Sequence, residues 1–189
     1  MLTTILLLIF LGIATATDVT RQKIYNWTVY PGILSAIALN AFATLFAASD
    51  RVDVPTLQNL GTIGLATSVL GLITCGFAMI VCYVFFQVGG GDVKMIAMMG
   101  AFLGPEHGVE AMLWTFVLGG CAGVMVLVWR MGGLQLVRAV GRQLFWVLRV
   151  GHRGPLSEEE LAALQPPLFL APCALGAAAI VQSGIFAPG

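Results

Sequence analysis

The sequence predicts an all-α integral membrane protein with about six transmembrane helices, both termini on the outside, and an amphipathic helix in the cytoplasmic interface. Of its 189 residues, 59% are hydrophobic and only 10% are charged. Soluble domains carry about 25% charged residues, so this composition excludes an ordinary globular protein. Several uncharged runs reach the ~18 residues that indicate a membrane span. The formal net charge is zero, which gives no reason to expect a nucleic-acid partner. We predict a single membrane-embedded domain over 1–189.

Six apolar runs divide the chain. They cover residues 2–17, 27–48, 60–88, 95–103, 109–129 and 167–187. The fourth run is the shortest, since nine residues of helix rise about 14 Å whereas the hydrocarbon core is about 30 Å thick. Two interpretations are open for this run: a span that also uses the flanking residues 92–94 and 104–108, or a half-helix.

The distribution of basic residues favours six crossings, because cytoplasmic loops of membrane proteins collect Lys and Arg. With six spans and an outside N-terminus, eight of the nine basic residues are cytoplasmic and Arg51 alone lies outside. The eight are Arg21, Lys23, Lys94, Arg130, Arg138, Arg142, Arg149 and Arg153. If the run 95–103 did not cross the membrane, only three basic residues would be cytoplasmic and six would lie outside.

The first run has a second interpretation as a cleaved signal peptide, because it ends in Ala14-Thr15-Ala16. Cleavage would fall just before Asp18 and remove the first span. However, residues 1–17 contain no Lys or Arg, so the basic region that begins a signal peptide is missing. Arg21 and Lys23 follow the run instead, which favours a membrane anchor with its N-terminus outside.

Residues 132–165 differ in composition from the spans. Gln135, Arg138, Arg142, Arg149 and Arg153 recur at spacings of 3, 4, 7 and 4, which puts them on one face of a helix. Such a helix is predicted to lie in the cytoplasmic interface with its arginines toward anionic head groups. A solvated linker helix is the alternative.

The four cysteines give no sign of a disulfide or of a metal site. Cys75, Cys82, Cys121 and Cys173 all lie in apolar runs, at spacings that match neither a CxxC pair nor a zinc knuckle. We expect them to be small buried hydrophobic residues. No metal and no cofactor is predicted.

Two acids stand at the ends of long apolar runs. Asp18 follows the first run and Asp92 follows the third, and the predicted topology puts both at the cytoplasmic face. Two close carboxylates share a proton, so the charged one can take a proton from water while the protonated one polarises a substrate carbonyl. Asp18 and Asp92 are therefore candidate catalytic residues for peptide hydrolysis. Loop residues without a catalytic role are the alternative.

Residues around the two acids suggest supporting roles. Gly89 and Gly91 lack side chains, so a substrate backbone can approach Asp92 closely. Lys94 either tunes the acid pair, contacts substrate, or extends its amino group to the membrane interface. Asn26 either caps the second helix or forms a hydrogen bond near the site, and we expect the cap.

The segment GGGDVKMIAMMGAFLG, residues 89–104, resembles the signature of the type IV prepilin peptidases. These are membrane aspartic proteases with a GxGD motif followed by x-Lys and apolar residues. Their first aspartate lies in a pattern of Asp, five residues and Ile-Pro-Asn. The segment DVTRQKIYN has Asp18, Ile24 and Asn26 at that spacing, with Tyr25 where proline is usual. The ending PPLFLAPCALGAAAI is similar to the last helix of the family.

The resemblance implies an aspartic-type endopeptidase of the inner membrane. It implies Asp18 and Asp92 as the catalytic residues, with Gly89, Gly91, Lys94 and Asn26 supporting the motif. The implied substrates are prepilin or pseudopilin precursors, whose leader is cut at the cytoplasmic face. The implied partners are these precursors and the lipid bilayer, with type IV pilus or type II-like secretion machinery involved indirectly. Long members carry a cytoplasmic domain with paired CxxC motifs. Without such motifs, this chain looks like the short Tad/Flp-type form or like the archaeal preflagellin peptidases.

Two rival functions are open at this point. A presenilin-like GxGD protease, which cuts within the membrane, carries a Tyr-Asp pair in an earlier span and a later Pro-Ala-Leu motif. Here Thr17 precedes Asp18, and APCAL at 171–175 is only a partial match. A small ion- or proton-coupled transporter would need acids near the bilayer midplane or an inverted repeat, and the sequence offers neither.

Overall fold

The structure is a computed structural model that describes residues 1–21, 23–48, 60–86, 88–132 and 170–183, with a few single residues between 138 and 149. Most of these residues lie in five α-helices, and no strand occurs among them. The helices are α1 (Leu2–Arg21), α2 (Asn26–Ala48), α3 (Leu65–Phe86), α4 (Gly90–Met131) and α5 (Leu170–Ser183). Two compact units divide the chain, Met1–Leu118 with Phe169–Gly189, and Gly119–Leu168. Both candidate acids lie in the first unit.

Helix α1 carries apolar residues on every side, as expected of a helix in a membrane. Its buried face consists of Thr3, Leu7, Leu11, Ala14 and Asp18, which recur every three or four residues. The opposite face is also apolar and is exposed, with Ile5, Ile9 and Ile13 between 38% and 54% accessible. Exposed aliphatic residues at this density are stable against hydrocarbon and not against water.

Among the residues that the structure describes, four helices are long and apolar enough to cross a membrane. They are Leu2–Arg21, Asn26–Ala47, Leu65–Phe85 and Gly90–Trp129, and the shorter Leu170–Ser183 is also apolar. The described part of the chain therefore confirms the prediction of an all-α membrane protein. The number of six crossings and the side on which each terminus lies stay predictions.

Helix α4 reverses its direction at Gly104. This residue has φ of 81° and ψ of 179°, and Pro105 follows it inside the helix. In a straight helix, residues 100 and 108 would lie about 12 Å apart. Instead, a Cβ atom on Gly108 would lie 3.0 Å from the Cα atom of Gly100. The short apolar run 95–103 is therefore the C-terminal part of a longer helical segment, 90–103, which packs against the segment that follows it.

The segment 90–103 lies antiparallel to α3 at very short range. A Cβ atom on Gly71 would collide with the carbonyl oxygen of Gly100, and one on Gly76 would lie 3.4 Å from the Cβ atom of Ala97. The Ser68 hydroxyl donates a hydrogen bond to the carbonyl oxygen of Ala101 at 2.7 Å. Small residues allow this approach, since membrane helices associate through close backbone packing and interhelical hydrogen bonds.

The other helix ends are joined by polar side chains. The Thr3 hydroxyl donates to the carbonyl oxygen of Gly61 at 2.8 Å. The N–H group of Leu65 at the start of α3 donates to the Thr44 hydroxyl at 3.0 Å. Helix α5 runs antiparallel to α1, because Thr4 bonds Gln182 at 3.1 Å while Ala171 bonds Asp18 at 3.2 Å. The first turn of α5 consequently lies at the Asp18 end of α1.

Most of the predicted cytoplasmic segment 132–165 lies outside the described residues, as do Arg51 and Arg153. Within it, Arg138, Arg142 and Arg149 are helical and exposed. The Arg149 guanidinium lies 5.4 Å from the centre of the Phe145 ring. The interfacial position of this segment stays a prediction.

We expect Gly71→Ala to lower the free energy of unfolding by about 1–3 kcal/mol, because the added Cβ atom must displace the backbone of α4. The matched control is Gly12→Ala, where a Cβ atom would meet nothing within 4 Å. That control should leave stability unchanged or raise it by up to about 1 kcal/mol. Unfolding in mixed micelles with increasing SDS, followed by circular dichroism, measures both. Equal stabilities of the two variants would contradict the close contact.

Candidate active site

Asp18 lies in the last part of α1, on the buried face of the helix. It continues the stripe formed by Leu7, Leu11 and Ala14, and its side chain is 8% exposed. The helix continues to Arg21, so Asp18 lies inside the helix and not in the loop that follows. A carboxylate on a face that is otherwise buried and mostly apolar requires a partner. One partner is the N–H group of Ala171, which donates to Oδ2 of Asp18 at 3.2 Å.

Asp92 lies in the first turn of α4 and is half-buried. The turn that begins the helix is closed by Gly89, whose carbonyl oxygen accepts from the N–H groups of Asp92 at 3.0 Å and Val93 at 3.3 Å. An acidic residue is favourable at this position, because the free N–H groups at a helix start carry a partial positive charge.

The three glycines before Asp92 have different surroundings. A Cβ atom on Gly89 would lie 2.9 Å from Oδ2 of Asp92, and one on Gly91 would lie 3.0 Å from the Cβ atom of Ile24. A Cβ atom on Gly90 would meet nothing within 4 Å. Gly89 and Gly91 therefore allow close packing around Asp92 and against the loop after α1, while Gly90 borders open space.

Lys94 and Asn26 connect the two candidate motifs directly. The Lys94 amino group donates to Oδ1 of Asn26 at 2.9 Å and lies 5.3 Å from the centre of the Tyr30 ring. The expectation that Asn26 caps α2 is wrong. Helix α2 begins at Asn26 itself. The N–H groups of Thr28 and Val29, which an Asn26 cap would bind, instead donate to the carbonyl oxygen of Tyr25 at 3.1 and 3.5 Å. The Asn26 side chain is used for the contact with Lys94.

These contacts bring the two acids to the same end of the first unit. Asp18 and Asp92 lie within electrostatic range of each other. The Cys173 thiol in α5 is also within electrostatic range of Asp18. Nearby, Arg21 is exposed and donates to the Tyr25 hydroxyl at 3.4 Å. Two neighbouring carboxylates are the chemical groups that metal-free peptide hydrolysis by general acid–base catalysis uses.

The sequence model of the type IV leader peptidase family matches residues 5–124. The chain belongs to this family. The match includes Asp18, Asp92 and the glycines between α3 and α4, and it confirms the resemblance that the two motifs indicated. It ends before α5. Searches among curated proteins and among solved structures found no match.

Two features of this leader peptidase family member were not predicted from its sequence. One is the hydrogen bond from Ala171, since a backbone N–H group leaves no signal in residue type. The available signal was Pro172, because proline is favoured in the first turn of a helix and so marks where α5 begins. The other is Tyr30, whose ring lies under Lys94.

One further feature lies apart from the two acids. An apolar cavity is lined by residues including Leu2, Leu39, Phe42 and Phe46, at the end of α1 away from Asp18. In the described part of the peptidase, no three His, Cys, Asp or Glu residues are grouped as metal ligands.

We expect Lys94→Met and Asn26→Ala to act on the same interaction. Each should lower the free energy of unfolding by about 0.5–1.5 kcal/mol through loss of the hydrogen bond. The double variant should lose less stability than the sum of the two single losses, by about 0.5 kcal/mol or more, because the bond is lost only once. Unfolding by SDS in mixed micelles measures the four proteins.

The matched control is Lys23→Met. Lys23 is exposed in the loop between α1 and α2. Its replacement should change the free energy of unfolding by less than about 0.5 kcal/mol. Strict additivity of the Lys94 and Asn26 effects would contradict a direct bond between the two motifs.

Proposed function

We propose that this chain is a membrane aspartic endopeptidase that cleaves leader peptides from type IV prepilin-like precursors, of the Flp/Tad or pseudopilin kind. Asp18 and Asp92 are its catalytic pair. The observation that carries the proposal is the meeting of the two motifs at one end of the first unit. There the Lys94 amino group bonds Asn26 at 2.9 Å, and a Cβ atom on Gly91 would lie 3.0 Å from that of Ile24. Both acids lie within the family-matched residues 5–124. Membership of the type IV leader peptidase family supports the choice of substrate class.

The mechanism requires one ionised and one protonated carboxyl group. The ionised carboxylate takes a proton from a water molecule as the water oxygen bonds to the carbonyl carbon of the scissile peptide. The protonated carboxyl group donates its proton to the carbonyl oxygen, which gives a neutral tetrahedral diol. The C–N bond then breaks as the first group passes its proton to the leaving nitrogen. A diol hydroxyl returns a proton to the second group, so both groups regain their starting states.

The surroundings of Gly90 support access of a peptide to this pair. The space beside Gly90 is open, and Asp92 lies two residues further along the same turn. A substrate chain in extended conformation could pass over Gly90 without meeting a side chain. Tyr30, whose ring lies next to Lys94, and Trp27 on the same helix are both exposed. Aromatic residues of this kind favour the interface between membrane and water.

The directions of the helices support six membrane passes. Helices α1, α2 and α3 alternate in direction, the segments before and after Gly104 do so again, and α5 runs antiparallel to α1. Arg21, Lys23 and Lys94 then share the end that holds both acids. By the positive-inside rule this end faces the cytoplasm. The proposed peptidase therefore cuts at the cytoplasmic face of the inner membrane, where the leader of a precursor would lie.

We expect Asp18→Asn and Asp92→Asn each to reduce leader cleavage by about 10²–10⁴-fold, the usual contribution of a general acid or base. Asparagine keeps the shape of aspartate but cannot carry the transferred proton. Processing of a co-expressed prepilin, followed by its shift on a gel, measures the loss. Mass spectrometry of the mature product locates the cut, which should lie on the N-terminal side of the precursor's hydrophobic helix.

The matched control is Glu106→Gln, an exposed acid beside the Gly104 turn, which should cleave at the wild-type rate. Near-normal cleavage by either aspartate variant, with normal membrane insertion, would exclude the catalytic pair. A cut within the hydrophobic helix of the precursor would instead indicate intramembrane proteolysis.

A further inference from the structure

The first turn of α5 contacts Asp18 from outside the family-matched residues. The N–H group of Ala171 donates to Oδ2 of Asp18 at 3.2 Å, across 153 positions of sequence. Ala171 is fully buried, and Asp18 is 8% exposed. This hydrogen bond is therefore shielded from water, which would otherwise compete for the same carboxylate oxygen.

The sequence of α5 explains how its backbone comes so close to α1. Its buried positions are all alanine, at Ala171, Ala174, Ala177 and Ala178. Small residues on one face let two membrane helices approach until backbone groups of one reach side chains of the other. The bond between Thr4 and Gln182 fixes the far end of the same pair of helices. The position of the Ala171 N–H group relative to Asp18 is thus set at both ends of α5.

Resting on the function proposed above, we propose that the first turn of α5 is a positioning element of the catalytic pair. The Ala171 N–H group holds Oδ2 of Asp18, which leaves Oδ1 as the oxygen that exchanges a proton during the reaction. Because an N–H donor stabilises the ionised form of a carboxyl group, the same bond sets the pH range in which Asp18 is functional. Within the described part of the chain, the titratable groups that interact electrostatically with Asp18 include Asp92 and Cys173.

Proline at position 171 tests this role in the full-length enzyme. It removes the N–H group, and proline is tolerated in the first turn of a helix, where that group has no partner within the helix. Pro172 already occupies the same turn. The matched control is Leu170→Pro, which introduces the same residue one position earlier and keeps the Ala171 N–H group. A second variant replaces Ala171 by lactic acid, which exchanges the N–H group for an ester oxygen and keeps the methyl side chain.

The measurement is the pH profile of kcat and KM for the purified peptidase in lipid nanodiscs, with a prepilin-derived substrate. For Ala171→Pro and the ester variant, we expect kcat to fall about 10- to 100-fold with little change in KM, because the geometry of the pair is disturbed. One limb of the profile should also move to higher pH by about one unit, because Asp18 then retains its proton longer. Movement of the acidic limb identifies Asp18 as the base, and movement of the basic limb identifies it as the acid.

The proposal is overturned if Ala171→Pro and the ester variant match Leu170→Pro in kcat and in both limbs of the profile. If Ala171→Pro alone fails to fold, the comparison between the ester variant and Leu170→Pro tests the proposal. Failure of this inference is distinguishable from failure of the proposed function. In the first case Asp18→Asn and Asp92→Asn are inactive while the position 171 variants behave like the control. In the second case one of the two asparagine variants still cleaves.

Discussion

The contact between Gly71 in α3 and Gly100 in α4 determines where Asp92 lies. Any side chain at Gly71 would collide with the carbonyl oxygen of Gly100 and would come within 2.8 Å of the Cα atom of Gly104. This contact fixes the register of the segment 90–103 along α3 and places its turn at Gly104 beside the start of α3. The beginning of α4 must then lie at the opposite end of α3, against Ile24 in the loop after α1. The meeting of the two motifs follows from helix packing far from either acid.

Each acid is stabilised in this apolar protein by the N–H groups at the start of a helix. Asp92 lies in the first turn of its own helix, and Asp18 lies against the first turn of α5. The N–H groups at a helix start have no partners within the helix and carry partial positive charge, so they compensate a carboxylate without a basic side chain. A lysine or arginine bound directly to either acid would favour its ionised form, which would not suit the catalytic pair proposed above, in which one carboxyl group is protonated. Lys94 instead bonds the neutral side chain of Asn26.

Much of this arrangement was predictable from the sequence, because lipid imposes strong rules on composition. The all-α membrane class followed from charge content, and the two acids followed from their positions after uncharged runs. The reversal at Gly104 could not be derived from hydropathy alone, since a run of nine apolar residues fits a short span and a half-helix equally well. A left-handed glycine followed by Pro105 decides between continuation and reversal. The spacing of Leu7, Leu11, Ala14 and Asp18 puts these residues on one helical face. The sequence did not show that this face is the buried one, because α1 carries apolar residues on every side.

The bond from Ala171 to Asp18 has an evolutionary consequence. Since the donor is a backbone N–H group, nineteen of the twenty amino acids can supply it, and selection for the bond cannot preserve a residue type at position 171. Size would still be limited, because the position is fully buried against α1. We expect small residues to interchange there among relatives while proline stays rare, although proline is common elsewhere at helix starts. Conservation scores would then rank this position among the variable ones, although it borders one of the two acids.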